Sequence, residues 1–181
     1  LTGYGEDGED SHRTAFDVLA WWARSGLMDV VRPSDNSSPG FVPIGIGDQP
    51  SGVALFASIM TALYRREKTG KGGEVYTSLM ANGAWSNGSY IQAGLFDAEF
   101  PDRKEESPLH PFGGRYKTKD GRFLLLAIID AAKEWPKFLK AMNLEYLKEN
   151  EKFSSFKNLN ANFRELYKIL EDVFIQAVSY T

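Results

Sequence analysis

Apolar residues recur at three- and four-residue steps through the middle of the chain and predict its longest helix, residues 49–68. The apolar stripe consists of Val53, Phe56, Ala57, Met60, Leu63 and Tyr64. Asp48 stands where an N-cap belongs, and Gly70 follows a basic last turn. An N-cap, a basic last turn and a closing glycine are the usual signals of helix ends.

The same spacing rules predict the other elements. Helices are expected over 15–27 (ended by Ser25-Gly26), 80–94, 131–142 and 160–178. Residues 73–80 predict a strand, and residues 114–129 predict a hairpin that turns at Asp120-Gly121. Residues 97–111 are charged and rich in proline, so we interpret them as a linker between an α/β part, 1–96, and a small α+β domain, 112–181, which we expect to be incomplete.

Composition narrows the class of protein. The 181 residues carry a formal net charge of −3, which predicts no nucleic-acid surface. There is no cysteine, and the two histidines, His12 and His110, are far apart, so no metal site is expected. No apolar run approaches the ~20 residues of a membrane span and no signal peptide opens the chain, so we expect a cytoplasmic protein without a membrane partner. The chain begins without Met, and we expect it to be a piece of a longer protein.

Asp48 is flanked by glycines in the stretch "IGIGDQPSG", and two interpretations of it remain open. As an N-cap alone, its carboxylate would accept hydrogen bonds from first-turn amides and contribute about 1 kcal/mol of stability. As a functional group, it would be a covalent nucleophile on an activated acyl group, with the amides of the neighbouring glycines free to donate to a developing oxyanion. Spacing alone does not choose between them.

Four stretches of this chain together carry a family resemblance. The segment "GIGDQPSGVALFASIMTALYRREKTGKGGEVYTSLM" resembles the central signature of the family III CoA-transferases, which include formyl-CoA transferase, carnitine CoA-transferase and α-methylacyl-CoA racemase. The stretches "LTGYGEDG", "FDVLAWWARSGL" and "PFGGRYKTKDGRFLLLAI" agree with it in order and spacing. The resemblance covers nearly the whole chain and is loosest in 97–110 and after 140.

The resemblance implies an α/β fold in which part of a Rossmann-like large domain is followed by a small α+β domain. Family members are much longer than this chain, and two subunits interlock as threaded rings. A homodimer is therefore implied, and a piece of one ring would leave large apolar surfaces uncovered. The implied substrates are coenzyme A, bound as an acyl-CoA, and a free carboxylic acid, with no metal.

The resemblance also implies a role for two acidic residues. The residue that matches Asp48 attacks the acyl-CoA thioester and passes through a mixed anhydride to an aspartyl-CoA thioester. Asp48 is therefore expected at the start of a helix of about five turns, with its carboxylate facing a cleft. Asp17 matches a second acid position of the transferases and is the other catalytic candidate; a surface or capping role is the alternative.

Three positions separate transferase from racemase. The racemases carry a His base at the position of Phe16, which cannot move a proton. Asp130 stands where they carry a second base, Glu, and His12 lies only four residues from Phe16. Transferase activity is favoured; the alternatives are an acyl-CoA racemase of the same superfamily or a non-catalytic scaffold or partner chain.

The candidates for binding CoA are Gly47, Gly113, Gly114 and Arg13. The glycine pair lies near the position of a mobile glycine-rich loop in formyl-CoA transferase, although a turn before a strand explains it equally well. Arg13 lies near a family position that can be basic and would meet a CoA phosphate; a solvated surface arginine is the alternative. The pair Trp21-Trp22 is expected to pack in the core.

Overall fold

Helix α2, Asp48–Thr69, is the longest described element of the structure, a computed structural model that describes residues 1–100 and 110–177. Its bounds lie within one residue of the predicted ones, so the prediction is confirmed. The helix ends at Gly70, which has φ 69° and donates its N–H to the carbonyl of Arg66 at 2.8 Å. This is the left-handed glycine C-cap that the sequence predicted.

The predicted helix 15–27 forms as a π-helical segment, Val18–Ala23, followed by the short helix α1, Leu27–Val30. Gly26 separates them at φ 86°, so the predicted stop is confirmed. The predicted helix 80–94 forms as two helices, α3 (Leu79–Ser86) and α4 (Gly88–Leu95), which meet at Asn87.

The strand predicted for residues 73–80 is wrong. One parallel bridge joins Thr2 to Ser78, and residues 71–77 otherwise have no regular structure. The amide of Thr2 donates to the carbonyl of Thr77 at 3.1 Å, and the amide of Leu79 donates to the carbonyl of Thr2 at 3.0 Å. A strand requires a partner along its length, and among the described residues only the amino-terminal segment pairs with this one.

Close backbone approach holds the π-helical segment against α3. A Cβ at Gly83 would stand 2.5 Å from the carbonyl oxygen of Trp21 and 2.8 Å from the Cβ of Ser25. Trp22, Ala20 and Leu79 are buried around this contact. In contrast, every residue of the predicted apolar stripe of α2 is exposed, and so is the neighbouring Ile59. The described residues therefore leave this helix face uncovered.

The predicted hairpin is confirmed, with short strands. Strands β1, Arg115–Lys117, and β2, Phe123–Leu125, pair antiparallel with Tyr116 opposite Leu124. Gly121 has φ 80° in the connecting loop, and its amide donates to the carbonyl of Thr118 at 2.9 Å. The structure thus uses the glycine where a positive φ is needed.

Helices cover this hairpin and complete a second core. Helix α5 spans Ala131–Met142 as predicted, and the predicted helix 160–178 forms as α6, Phe156–Ala161, and α7, Phe163–Phe174. Short 3₁₀ segments span Pro111–Gly113, Glu145–Glu149 and Glu151–Phe153. The buried core consists of Phe112, Tyr116, Ala131, Leu139, Leu144, Leu147, Phe153, Leu159, Leu166, Leu170 and Phe174.

The chain forms two units, residues 1–105 and 106–181. Much of the predicted linker, residues 101–109, lies outside the described residues, and the predicted domain bounds stay predictions. The fold is mixed α/β, and within the described part of the chain its sheet is the two-stranded hairpin. A Rossmann-like large domain and an interlocked dimer therefore also stay predictions.

Candidate active site

Asp48 is the first residue of helix α2, and Gly47 occupies the N-cap position before it. The interpretation of Asp48 as the N-cap is therefore wrong, because Gly47 takes that position and Asp48 lies inside the helix. The Asp48 side chain is exposed, and it makes no hydrogen bond or ion pair within residues 1–100 and 110–177. Because a helix amino terminus favours negative charge, the position suits a free carboxylate.

The cleft expected in front of Asp48 stays a prediction. The helix has 22 residues and is longer than the expected five turns. The residues on either side of Asp48 differ in burial. Gly47 is buried, whereas Gln49 and Pro50 are exposed like Asp48 itself. Asp48 thus lies where a buried loop residue is followed by an exposed first helical turn.

Asp17 is buried, with 3% of its surface exposed, and its carboxylate accepts three backbone hydrogen bonds. Its Oδ1 accepts from the amide of Val18 at 2.8 Å, at the start of the π-helical segment. Its Oδ2 accepts from the amides of Gly45 at 2.7 Å and Gly47 at 3.2 Å. Asp17 thus binds the loop that leads into Asp48.

The amides of Gly45 and Gly47 are therefore not free to bind an oxyanion, which corrects that expectation. The glycines have other physical reasons. Gly45 has φ 88°, a conformation that favours glycine, and Gly47 lies against the indole of Trp21. A Cβ at Gly47 would stand 2.5 Å from the Cγ of Trp21, so a side chain does not fit there.

The two adjacent tryptophans, Trp21 and Trp22, have different surroundings. Trp22 is buried and donates its Nε1–H to the carbonyl of Gly40 at 3.2 Å, which is the predicted core role. Trp21 is half-buried and packs on both Gly47 and Gly83. Sequence reasoning missed both contacts, since they join residues that are far apart along the chain.

The remaining candidates in the first unit are surface residues. Arg13 is exposed and forms an ion pair with Asp10, with Nε and Oδ1 separated by 2.9 Å. Phe16 is 66% exposed, and His12 is exposed as well. The structure brings none of these three side chains into hydrogen-bond contact with Asp17 or Asp48 within the described residues.

The candidates of the second unit have structural surroundings. A Cβ at Gly114 would stand 2.8 Å from the ring of Tyr167, so this glycine permits close packing, while Gly113 is exposed at the end of a 3₁₀ turn. Asp130 is the N-cap of helix α5, and its carboxylate accepts from the amide of Lys133 at 3.2 Å. A mobile glycine loop and a base at position 130 stay predictions.

No group of three or more acidic or histidine side chains is arranged to hold a metal ion in the part of the chain that the structure describes. Among the same residues, every helix is too short or too polar to cross a bilayer.

A match over nearly the whole length of the chain shows the family to which it belongs. Residues 1–178 match the family described as CoA-transferase family III. The chain belongs to this family of CoA-transferases, as the sequence resemblance implied.

Two curated relatives and one solved structure illustrate the match. The chain is 32% identical over 176 residues to (R)-2-hydroxy-4-methylpentanoate CoA-transferase of Clostridioides difficile, covering 97% of this chain and 44% of the relative. It is also 32% identical over 179 residues to cinnamoyl-CoA:phenyllactate CoA-transferase of Clostridium sporogenes, covering 97% and 43%. The crystal structure of a CaiB/BaiF family protein from Brucella suis has a similar fold, with TM-score 0.76, 22% identity and coverage of 98% of this chain and 46% of that one. The chain thus spans less than half the length of these relatives.

Proposed function

We propose that the protein moves CoA from an acyl-CoA thioester to a free carboxylic acid and that Asp48 is the nucleophile. The observation that carries this proposal is the free carboxylate of Asp48 at the start of α2. It is exposed and has no protein partner in the described residues, so its oxygens are available to attack. Membership of a CoA-transferase family supports the reaction class.

The first half of the reaction moves CoA onto the protein. A carboxylate oxygen of Asp48 attacks the thioester carbonyl carbon, the C–S bond breaks, and CoA leaves as a thiolate with the bonding electron pair. This step forms a mixed anhydride between Asp48 and the acyl group. The thiolate then attacks the Asp48 carbonyl carbon of the anhydride and releases the donor acid as a carboxylate, which leaves an aspartyl-CoA thioester.

The second half of the reaction repeats these steps in reverse order with the acceptor. The acceptor carboxylate attacks the aspartyl thioester, and CoA thiolate again leaves as a mixed anhydride forms. The thiolate attacks the acceptor's carbonyl carbon, which yields the new acyl-CoA and restores the Asp48 carboxylate. No proton crosses between substrate and protein in this sequence, so an anionic side chain suffices, and the positive end of the α2 dipole favours that charge.

The test uses Asp48→Asn and Asp48→Ala in the protein at its full encoded length, assayed for label exchange between an acyl-CoA and its free acid. Both variants should lose exchange, because a carboxamide is a poor nucleophile and Ala has none. Glu67→Gln is the matched control, since it removes an exposed carboxylate near the other end of the same helix. It should retain exchange.

Exchange that survives in Asp48→Asn would refute covalent catalysis by this residue. Absence of exchange in the unsubstituted protein, over a panel of acyl-CoA and acid pairs, would favour the non-catalytic scaffold. The interlocked homodimer and the cytoplasmic location belong to the same proposal, and sedimentation and cell fractionation test them separately.

A further inference from the structure

Asp17 and Trp21 hold the short loop 45–47 from one side. They lie one helical turn apart, at the start and in the middle of the π-helical segment Val18–Ala23. The Asp17 carboxylate accepts the amides of Gly45 and Gly47, and the Trp21 ring lies against Gly47 where a Cβ would stand. The bonds to a carboxylate are charge-assisted and therefore stronger than bonds between neutral groups.

The helix holds the same loop from the other side. The carbonyl of Gly45 accepts from the amide of Gln49 at 3.1 Å. The carbonyl of Gly47 accepts from the amide of Ser51 at 3.2 Å and from its buried hydroxyl at 2.7 Å. Amides and carbonyls of both glycines are thus bound, so the loop has little freedom just before Asp48.

Both oxygens of the Asp17 carboxylate are already bound to backbone amides. One oxygen accepts the amide of Val18, the other accepts two glycine amides, and the side chain is 3% exposed. A buried carboxylate that binds three amides is a fixed acceptor rather than a group poised to meet substrate. The direct catalytic role expected for Asp17 is therefore less well supported than an indirect one.

We infer that Asp17 is a positioning residue, which fixes the loop 45–47 and through it the place and direction of the Asp48 carboxylate. The inference rests on the proposed role of Asp48 as nucleophile. Attack on a thioester requires a defined approach, and misplacement of a reacting group by about 1 Å can lower the rate by about 100-fold. The buried Asp17 carboxylate would fix the direction of the Asp48 carboxylate without touching the substrate.

The variant that tests this is Asp17→Asn, made in the protein at its full encoded length. Asn has nearly the same shape, but its NH₂ group must face either Val18 or the two glycine amides, and donor then opposes donor. Hydrogen exchange of the peptide that contains residues 44–48 should quicken by about tenfold or more, as expected for loss of charge-assisted bonds. In transfer assays, kcat should fall by about 10- to 100-fold while KM changes little.

Two further variants keep the test decisive. Gly45→Ala strains the loop at φ 88° without removing a buried charge, so it tests positioning even where Asp17→Asn does not fold. It should likewise lower kcat more than it raises KM. Asp29→Asn is the control, because Asp29 is an exposed acid of the following helix that pairs with Arg32. It should change neither the hydrogen exchange of residues 44–48 nor kcat.

The outcomes separate this inference from the proposed function. Unchanged hydrogen exchange at residues 44–48 in Asp17→Asn would show that Asp17 does not fix the loop 45–47, whatever the result of the transfer assay. Faster hydrogen exchange with an unchanged kcat would refute the positioning role of Asp17 and would leave Asp48 as the nucleophile. CoA transfer that survives in Asp48→Asn would refute the proposed function. Hydrogen exchange would still show whether Asp17 fixes the loop 45–47.

Discussion

Substitution of Gly47 by Ala places a methyl group against the ring of Trp21 and directly tests the packing in front of Asp48. The new Cβ would stand 2.5 Å from Cγ, 2.6 Å from Cβ and 2.8 Å from Cδ2 of Trp21, well inside van der Waals contact. Overpacking of this kind costs about 1–3 kcal/mol. Ala is also a poorer N-cap than Gly by roughly 0.5–1 kcal/mol, so the expected loss is about 1.5–4 kcal/mol.

Gly52→Ala is the matched control, since Gly52 lies in the same helix with nothing within 4 Å of its would-be Cβ. Ala is favoured over Gly inside a helix by about 1 kcal/mol, so this variant should be more stable than the unsubstituted protein. The two glycine variants should therefore differ by about 2.5–5 kcal/mol. Urea unfolding followed by circular dichroism measures the difference from the midpoints at equal slope.

Shortening the tryptophan should not rescue Gly47→Ala. The Cβ of Trp21 is itself 2.6 Å from the new methyl, and Trp21→Ala keeps that atom. The double variant should therefore remain less stable than Trp21→Ala alone. A Gly47→Ala protein that unfolds at the same urea concentration as the unsubstituted protein would refute the packing on which this reasoning depends.

Three further predictions concern other parts of the molecule. Burial, followed by the charges of Tyr167 and Glu171, raises the pKa of the Tyr116 phenol above its usual 10.0, so stability should be full below that pH and fall as the pH rises through the folded-state pKa. Tyr116→Phe should flatten this decline in urea midpoint, and a decline of unchanged size would contradict the assignment. Asn143 ends α5 at φ 56°, so Asn143→Ala should cost about 1–2 kcal/mol and Asn143→Gly much less, and equal urea midpoints would contradict this. Because Phe16 replaces the racemase histidine, a chiral 2-methylacyl-CoA incubated in heavy water should gain no deuterium by mass spectrometry, and rapid uptake without CoA exchange would favour a racemase.

The elements that could be predicted from sequence are those set by local signals. Helix α2 follows from a repeating apolar stripe and a closing glycine, and the hairpin follows from the Asp120-Gly121 turn. The strand predicted for residues 73–80 is wrong because a strand depends on a partner elsewhere in the chain, and an alternation of apolar residues does not supply one. Likewise, the stripe predicted the helix but not its exposure among the described residues.

The candidate site was predictable in its residues and not in its contacts. Asp48 and Asp17 both emerged from the resemblance, and the glycines around Asp48 were visible in the sequence. Asp17 binds residues 28 and 30 positions away, and such long-range bonds have no local signature. The same holds for Gly47, since its need for a hydrogen in place of a side chain arises only when Trp21 lies against it.

The central claim, that Asp48 carries CoA covalently, is tested most directly by trapping the intermediate. The protein at its full encoded length is incubated with an acyl-CoA, treated with hydroxylamine and digested for mass spectrometry. An aspartyl-CoA thioester at Asp48 should be converted to a hydroxamate on that side chain alone, and the hydroxamate should be absent when acyl-CoA is omitted. Continued CoA exchange with no hydroxamate at Asp48, or with one on a different acidic residue, would contradict the account.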